Sequence, residues 1–107
     1  RRISMPRKPE SNFRDKVRKD LQALPNTVLF PIQQVSIGGD PDFLLCVRGF
    51  FVALELKSKG GKVSPLQEHK LQAVVKAGGT SLVAFPKNWK EIYRIIFDLA
   101  VDKSTLF

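Results

Sequence analysis

The sequence predicts an α/β sandwich: a central mixed β-sheet flanked by helices. Three observations carry that expectation. Two apolar runs, FLLCV at 43–47 and FFVAL at 50–54, are separated only by Arg48-Gly49 and its neighbours' turn, which signals an antiparallel hairpin. A helix with a full set of start and stop residues follows the second run. A further strand-like run follows that helix, so at least one strand pair is parallel. The 107 residues suffice for one domain with one core.

The elements follow in chain order. Residues 1–9 read as a flexible basic arm broken by Pro6 and Pro9, and residues 10–107 as the single folded domain. If Met5 is the native start, Arg1–Ser4 carry little functional weight. The first helix is expected over 10–23, because Phe13, Val17, Leu21 and Leu24 share one face and Pro25-Asn26 stops it. Segments 27–30 and 33–37 read as extended around Pro31, and Gly38-Gly39 breaks the pattern. Strands are expected at 42–47 and 50–57, then a basic loop at 57–62. The second helix has Ser64 as N-cap, Pro65 at its first position, Gln67 three residues after the cap and Gly78 as its stop. Leu66, Leu71, Val74 and Val75 suit its buried face. A strand is expected at 81–85. Asn88 and Glu91 resemble a capping box opening a third helix through Ala100, with Ile92, Ile95, Ile96 and Leu99 facing inward.

Composition narrows the class. The chain is 43% hydrophobic and 26% charged, which excludes disorder throughout. No apolar run approaches the ~20 residues needed to span a bilayer, so no membrane role is expected. Cys46 has no cysteine partner, which fits a reducing, cytoplasmic setting, a phage protein acting in its host's cytoplasm included. Cys46 reads as a strand core residue. The lone His69 makes a histidine-based triad or metal site improbable. The net charge of +8 suits a nucleic-acid partner, or plain solubility. The excess is concentrated in residues 1–20, with eight basic residues against three acids.

The chemistry gathers at Gly39-Asp40-Pro41-Asp42 and Glu55-Leu56-Lys57. Residues two apart in a strand share a face, so Glu55 and Lys57 point the same way. Pairing Val47 with Phe50 across the hairpin sets Asp42 opposite Glu55, and opposed like charges destabilise a sheet. Either a divalent cation resolves the repulsion, as hard carboxylate oxygens suit Mg²⁺, or Glu55 and Lys57 form a structural pair beside a turn aspartate. Glu10 lies three residues before Phe13 and seven before Val17. It either projects on the buried face of the first helix or sits at the helix's positive end, should the helix begin at Ser11 or Asn12. Lys59, Lys62 and the helix start at Ser64 form a phosphate clamp beside the carboxylates. Arg14, Lys16, Arg18 and Lys19 either extend that footprint or line a solvated helix face.

Gly39-Asp40-Pro41-Asp42 followed by Glu55-Leu56-Lys57 resembles the PD-(D/E)XK nuclease signature. With the Gly49 hairpin, VALELK, Ser64-Pro65-Leu66-Gln67 and Ala77-Gly78-Gly79, the chain resembles the VRR-NUC branch, related to Holliday junction resolvases, over about residues 10–86. The resemblance implies a three-layer, restriction-endonuclease-type fold and a metal-dependent endonuclease acting on DNA, branched or structured. It implies Asp42, Glu55 and the Leu56 carbonyl as ligands of Mg²⁺ or Mn²⁺, with Glu10 reaching the metal directly or through water and Asp15 as the weaker choice. Lys57 would position or activate the attacking water. Gln67 would support the site or touch phosphate, although its role as helix cap needs no catalysis. No small-molecule cofactor is implied. A homodimer with paired sites is, and Trp89, Tyr93 and Phe97 are either its interface or core residues. A catalytically inactive DNA-binding module on the same fold is the alternative.

Overall fold

The computed structural model describes residues 9–33 and 38–102, the side chains of residues 9–11 excepted. Helix α1 (Pro9–Gln22) leads into strand β1 (Thr27–Pro31), then the hairpin β2 (Phe43–Val47) and β3 (Phe50–Leu56). Helix α2 (Pro65–Lys76), strand β4 (Thr80–Ala84), a 3₁₀ turn (Pro86–Asn88) and helix α3 (Trp89–Ala100) complete the order. The sheet runs β1-β2-β3-β4, antiparallel except for the parallel β3–β4 pair that α2 connects. This is the mixed α/β sheet the sequence predicts. None of the described helices is long and apolar enough to cross a membrane.

Strand alternation divides the sheet into two unlike faces. Phe43, Leu45, Val47, Val52 and Leu54 pack on one side with Phe13, Val17 and Leu21 of α1 and Trp89, Ile92 and Ile96 of α3. These form the core. The other face carries Ala53 and Glu55, and α2 lies over it: the Ser81 hydroxyl donates to the Leu71 carbonyl, and Gln67 reaches Glu55. The result is helices, sheet, helix, in three layers. The hairpin turn uses Arg48 at φ 48° and Gly49 at φ 86°, the paired left-handed residues of a tight two-residue turn. Arg48 bears that conformation while its Nε donates to the Leu99 carbonyl and its main-chain N–H to the Asn26 carbonyl.

Several boundaries move. Helix α1 begins at Pro9, before Ser11, so Glu10 falls inside its first turn. Gln33 is not in a strand, and residues 34–37 lie outside the described residues, as do 1–8. Asp42 bends the chain just before β2. Asn88 does not cap α3. Its amide turns back instead, accepting from the Phe85 N–H at 2.6 Å and donating to the Val83 carbonyl at 3.3 Å, which serves the end of β4.

Burial also departs from the apolar pattern. Of the expected inward residues of α2 only Leu71 is buried, while Leu66 and Val75 are exposed; on α3, Ile95 is exposed. Cys46 is exposed too. Among the described residues one helix lies over the outer face of the four-stranded sheet, packed chiefly on β4, and the β1–β2 part, where Cys46 stands beside Val28, lies away from it. Trp89 is buried in the core, Tyr93 packs against the core, and Phe97 is exposed. His69 is exposed on α2.

Candidate active site

The hairpin register builds the site. Phe43 pairs with Leu54 and Val47 with Phe50, so one further step sets Asp42 opposite Glu55, as the sequence arithmetic requires. The Asp42 carboxylate accepts the Leu56 N–H on Oδ2 at 2.8 Å. That bond fastens the bend to the end of β3. The N–H and C=O of a strand residue face the same neighbour, so the Leu56 carbonyl is turned toward the Asp42 side. The approach to Asp42 is fixed by glycine. A Cβ on Gly39 would stand 2.5 Å from Leu66 Cγ, so only glycine lets this loop press against the start of α2 at φ 83°. Lys70 of α2 bridges to Asp40 at 3.5 Å on the same loop.

Glu55 is 3% exposed, the one buried charged residue among the described residues. Burial, and then the neighbouring Asp42 charge, push its carboxyl up from 4.5 to about 7, against the pull of Lys57. Its two oxygens differ. Oε2 accepts from Gln67 Nε2 at 2.9 Å and lies 3.3 Å from Lys57 Nζ. Oε1 is buried and has no hydrogen-bond partner among the described residues. A buried carboxylate oxygen without a donor is costly.

Gln67 joins the pieces. Its Oε1 accepts from Lys57 Nζ at 2.8 Å and from the Ser64 N–H at 2.9 Å, while its Nε2 donates to Glu55. The Ser64 hydroxyl accepts the Gln67 N–H, completing the capping box. One side chain thus closes the first turn of α2 and clamps the Glu55–Lys57 pair. Gln67 is the cap of α2 and is also bonded to both Glu55 and Lys57. In this cap the Ser64 N–H donates and its hydroxyl oxygen accepts, so the hydroxyl proton is not used by the cap.

Arg14, Lys16 and Arg18 of α1 are held in ion pairs. Arg14 Nη1 donates to Asp42 Oδ1 at 2.7 Å, its Nη2 reaches the Asp42 carbonyl at 3.5 Å, and its guanidinium lies over the Phe43 ring. Arg18 pairs with Asp15 at 3.2 Å. The sequence reading does not foresee the bond to Asp42. A signal existed: Arg14 lies four residues after Glu10, hence on the same flank of the helix. The Glu10 side chain is outside the described residues. Lys59 and Lys62 lie in the glycine loop after β3, where they line a cavity with Lys87.

The donor set suits a hard divalent cation. Asp42 and Glu55 bring two carboxylates together, and the free Glu55 oxygen is a lone pair in need of a positive partner. A cavity of about 80 Å³ opens beside Asp42, lined by Phe13, Arg14, Asp42, Leu56, Lys57 and Ser58. A water molecule needs about 10–15 Å³ of such space, so there is room for a partly hydrated ion. Among the described residues, no group of three or more His, Cys, Asp or Glu side chains converges, so a third ligand must come from the main chain, from water or from Glu10.

Comparison with known proteins sets this geometry in context. A solved structure described as a VRR_NUC domain superposes on 84% of this chain and 96% of its own, with a TM-score of 0.69. The chain has the VRR_NUC fold. The two sequences are 21% identical over the match. No family model matches the sequence, and no curated protein does. The VRR_NUC likeness therefore rests on architecture. Beside it stand the residues of this chain: Asp42, Glu55, Lys57 and Gln67 meeting at one end of β3.

Proposed function

We propose that the chain is a divalent-metal-dependent endodeoxyribonuclease that hydrolyses DNA phosphodiester bonds, acting on branched DNA such as Holliday junctions, with Mg²⁺ or Mn²⁺ as cofactor. The observation that carries the reading is a buried carboxylate beside a second one: Glu55, whose Oε1 has no hydrogen-bond partner among the described residues, next to the charge of Asp42. A structural Glu–Lys pair would not leave it so. Asp42, Glu55 and the Leu56 carbonyl would hold the ion, with Glu10 as a further ligand. When bound, such an ion supplies Lewis acidity and lowers the pKa of water.

The chain's own residues supply orientation. Lys57 Nζ, held between Glu55 Oε2 and Gln67 Oε1, is aimed where a non-bridging phosphate oxygen or the attacking water would sit. Lysine is a point charge with three donors, so two contacts to the protein leave one for substrate. The net charge of +8 supports an anionic partner. One such domain holds one site, so cutting both strands of a branch calls for a homodimer.

The test is incubation of junction, flap, duplex and single-stranded DNAs with Mg²⁺, with Mn²⁺ and with chelator. Cleavage is expected with either ion and absent in chelator, and Lys57→Ala should abolish it in a chain that still folds. Cleavage in chelator, or full activity of Lys57→Ala, overturns the reading. DNA binding without cleavage under all conditions would favour the inactive binding module.

Arg14 gives a second expectation. Its guanidinium occupies the Asp42 oxygen that an incoming ion needs, and the pair is only partly buried, so the competition is worth about 1 kcal/mol. Arg14→Gln is expected to tighten Mn²⁺ binding about fivefold by titration calorimetry. Unchanged or weaker binding would show that Arg14 does not compete.

A further inference from the structure

We propose that the cavity between the glycine loop after β3 and the turn after β4 is a nucleotide subsite, in which Phe85 stacks on an unpaired base next to the phosphate being cut. The inference rests on the nuclease reading and adds to it what part of the DNA the site recognises.

The β3–β4 register pairs Leu56 with Ala84, and the Lys57 N–H continues the ladder to the Ala84 carbonyl at 2.9 Å. One more step sets Phe85 beside Lys57. Alternation along β4 gives Phe85 the face shared by Val83, Glu55 and Lys57. Neighbouring strands lie about 4.8 Å apart. An aromatic side chain thus stands one strand away from the lysine assigned to the scissile phosphate.

The cavity there measures about 690 Å³, and Phe85, Pro86, Lys59, Lys62 and Lys87 line it. That volume lies within the roughly 300–1,000 Å³ of small-molecule sites and exceeds what a phosphate alone needs. Its wall opposite the turn is the main chain of Gly60-Gly61. A Cβ on Gly61 would come within 3.5 Å of Lys57 Cβ and Cδ, so the cavity begins where the Lys57 side chain passes. Among the described residues, none of Lys59, Lys62 and Lys87 is in an ion pair, and all three are exposed. Free lysines beside an apolar ring match one chemistry: a strand whose phosphates meet the lysines while its base lies on the ring. A paired base inside a duplex cannot reach a ring in a recess; a base at a branch point or single-stranded end can.

The experiment reads binding without cleavage, in chelator. Fluorescence anisotropy compares the full chain and Phe85→Ala on three DNAs: a blunt duplex, a duplex with a single-stranded branch, and a single strand. A 2-aminopurine base at the branch reports stacking through its quenching. Phe85→Ala is expected to weaken the branched and single-stranded DNAs about tenfold, to leave the duplex within about twofold, and to abolish the quenching. Phe85→Trp should restore all three. Lys87→Ala should weaken every DNA and lower the slope of log affinity against log salt by about 1. An equal loss on duplex and branched DNA, or no loss on any, overturns the subsite. That failure is distinct from failure of the nuclease reading, which is decided by metal-dependent cleavage in the unmodified protein.

Discussion

Glu55→Gln is expected to remove a pH dependence of folding and, with it, the cleavage activity. Glu55 titrates near 7 in the folded chain against 4.5 for the ordinary group. Between those values the folded state holds a proton that the unfolded state has released. Stability of the metal-free protein therefore falls as pH rises from about 4.5 to about 7, and levels off above that, by ~3 kcal/mol in total. The glutamine carries no charge to desolvate and still accepts from Gln67, so the fall should vanish in denaturant titrations across that range. A divalent ion should restore the loss in the wild type at pH 8, where Glu55 is ionised, and have little effect at pH 5, where the proton occupies the ligand. In the variant it should do so at neither pH. Cleavage should drop by roughly 10³-fold or more. A wild type whose stability is flat from pH 5 to 8, with and without Mn²⁺, would end the metal-ligand assignment of Glu55.

That pairing of stability with function explains which parts of the molecule could be read in advance. The hairpin turn has only two residues, so Arg48-Gly49 fixes the register, and the register alone sets Asp42 against Glu55. Such local constraints are written in consecutive residues. The capping box was legible for the same reason: Ser64, Pro65 and Gln67 contact one another within a single turn. What was not legible depends on layers that meet only in the folded chain. Apolar spacing identified Leu66, Val75, Ile95 and Cys46 as apolar positions, but whether an apolar position is covered depends on how far the neighbouring layer extends. With α2 alone on the outer face among the described residues, Val75 and Cys46 stay exposed. The Arg14–Asp42 bond joins residues 28 apart in sequence, and no local rule specifies it. Phe85 beside Lys57 is intermediate: it follows from the β3–β4 register, which the sequence does not state, because a parallel crossover fixes direction without fixing offset.

The same distinction between local and long-range roles gives the sharpest test of Gln67. As a helix cap, glutamine and glutamate are equivalent at the third position after Ser64, and glutamate also suits the positive end of the helix. If capping were the whole role, Gln67→Glu would be neutral or slightly stabilising and fully active. The site predicts the opposite. Gln67 Nε2 donates to Glu55 Oε2 at 2.9 Å, and the substitution puts an acceptor where that donor was. At pH 8 two carboxylates would face each other in a buried site already carrying Asp42, which raises the pKa of one of them further. Metal-free stability should fall by about 2 kcal/mol relative to wild type at pH 8. Much of that loss should disappear at pH 5, because a shared proton restores a hydrogen bond between the two groups. Cleavage should fall on the order of 100-fold, since the new charge draws Lys57 Nζ away from the position it holds between Glu55 and Gln67. Gln67→Ala, which removes cap and bridge together, should lose stability at both pH values. The contrast between a pH-dependent loss in one variant and a pH-independent loss in the other separates the bridge from the cap. Equal activity in Gln67→Glu and wild type would reduce Gln67 to a residue of the helix alone.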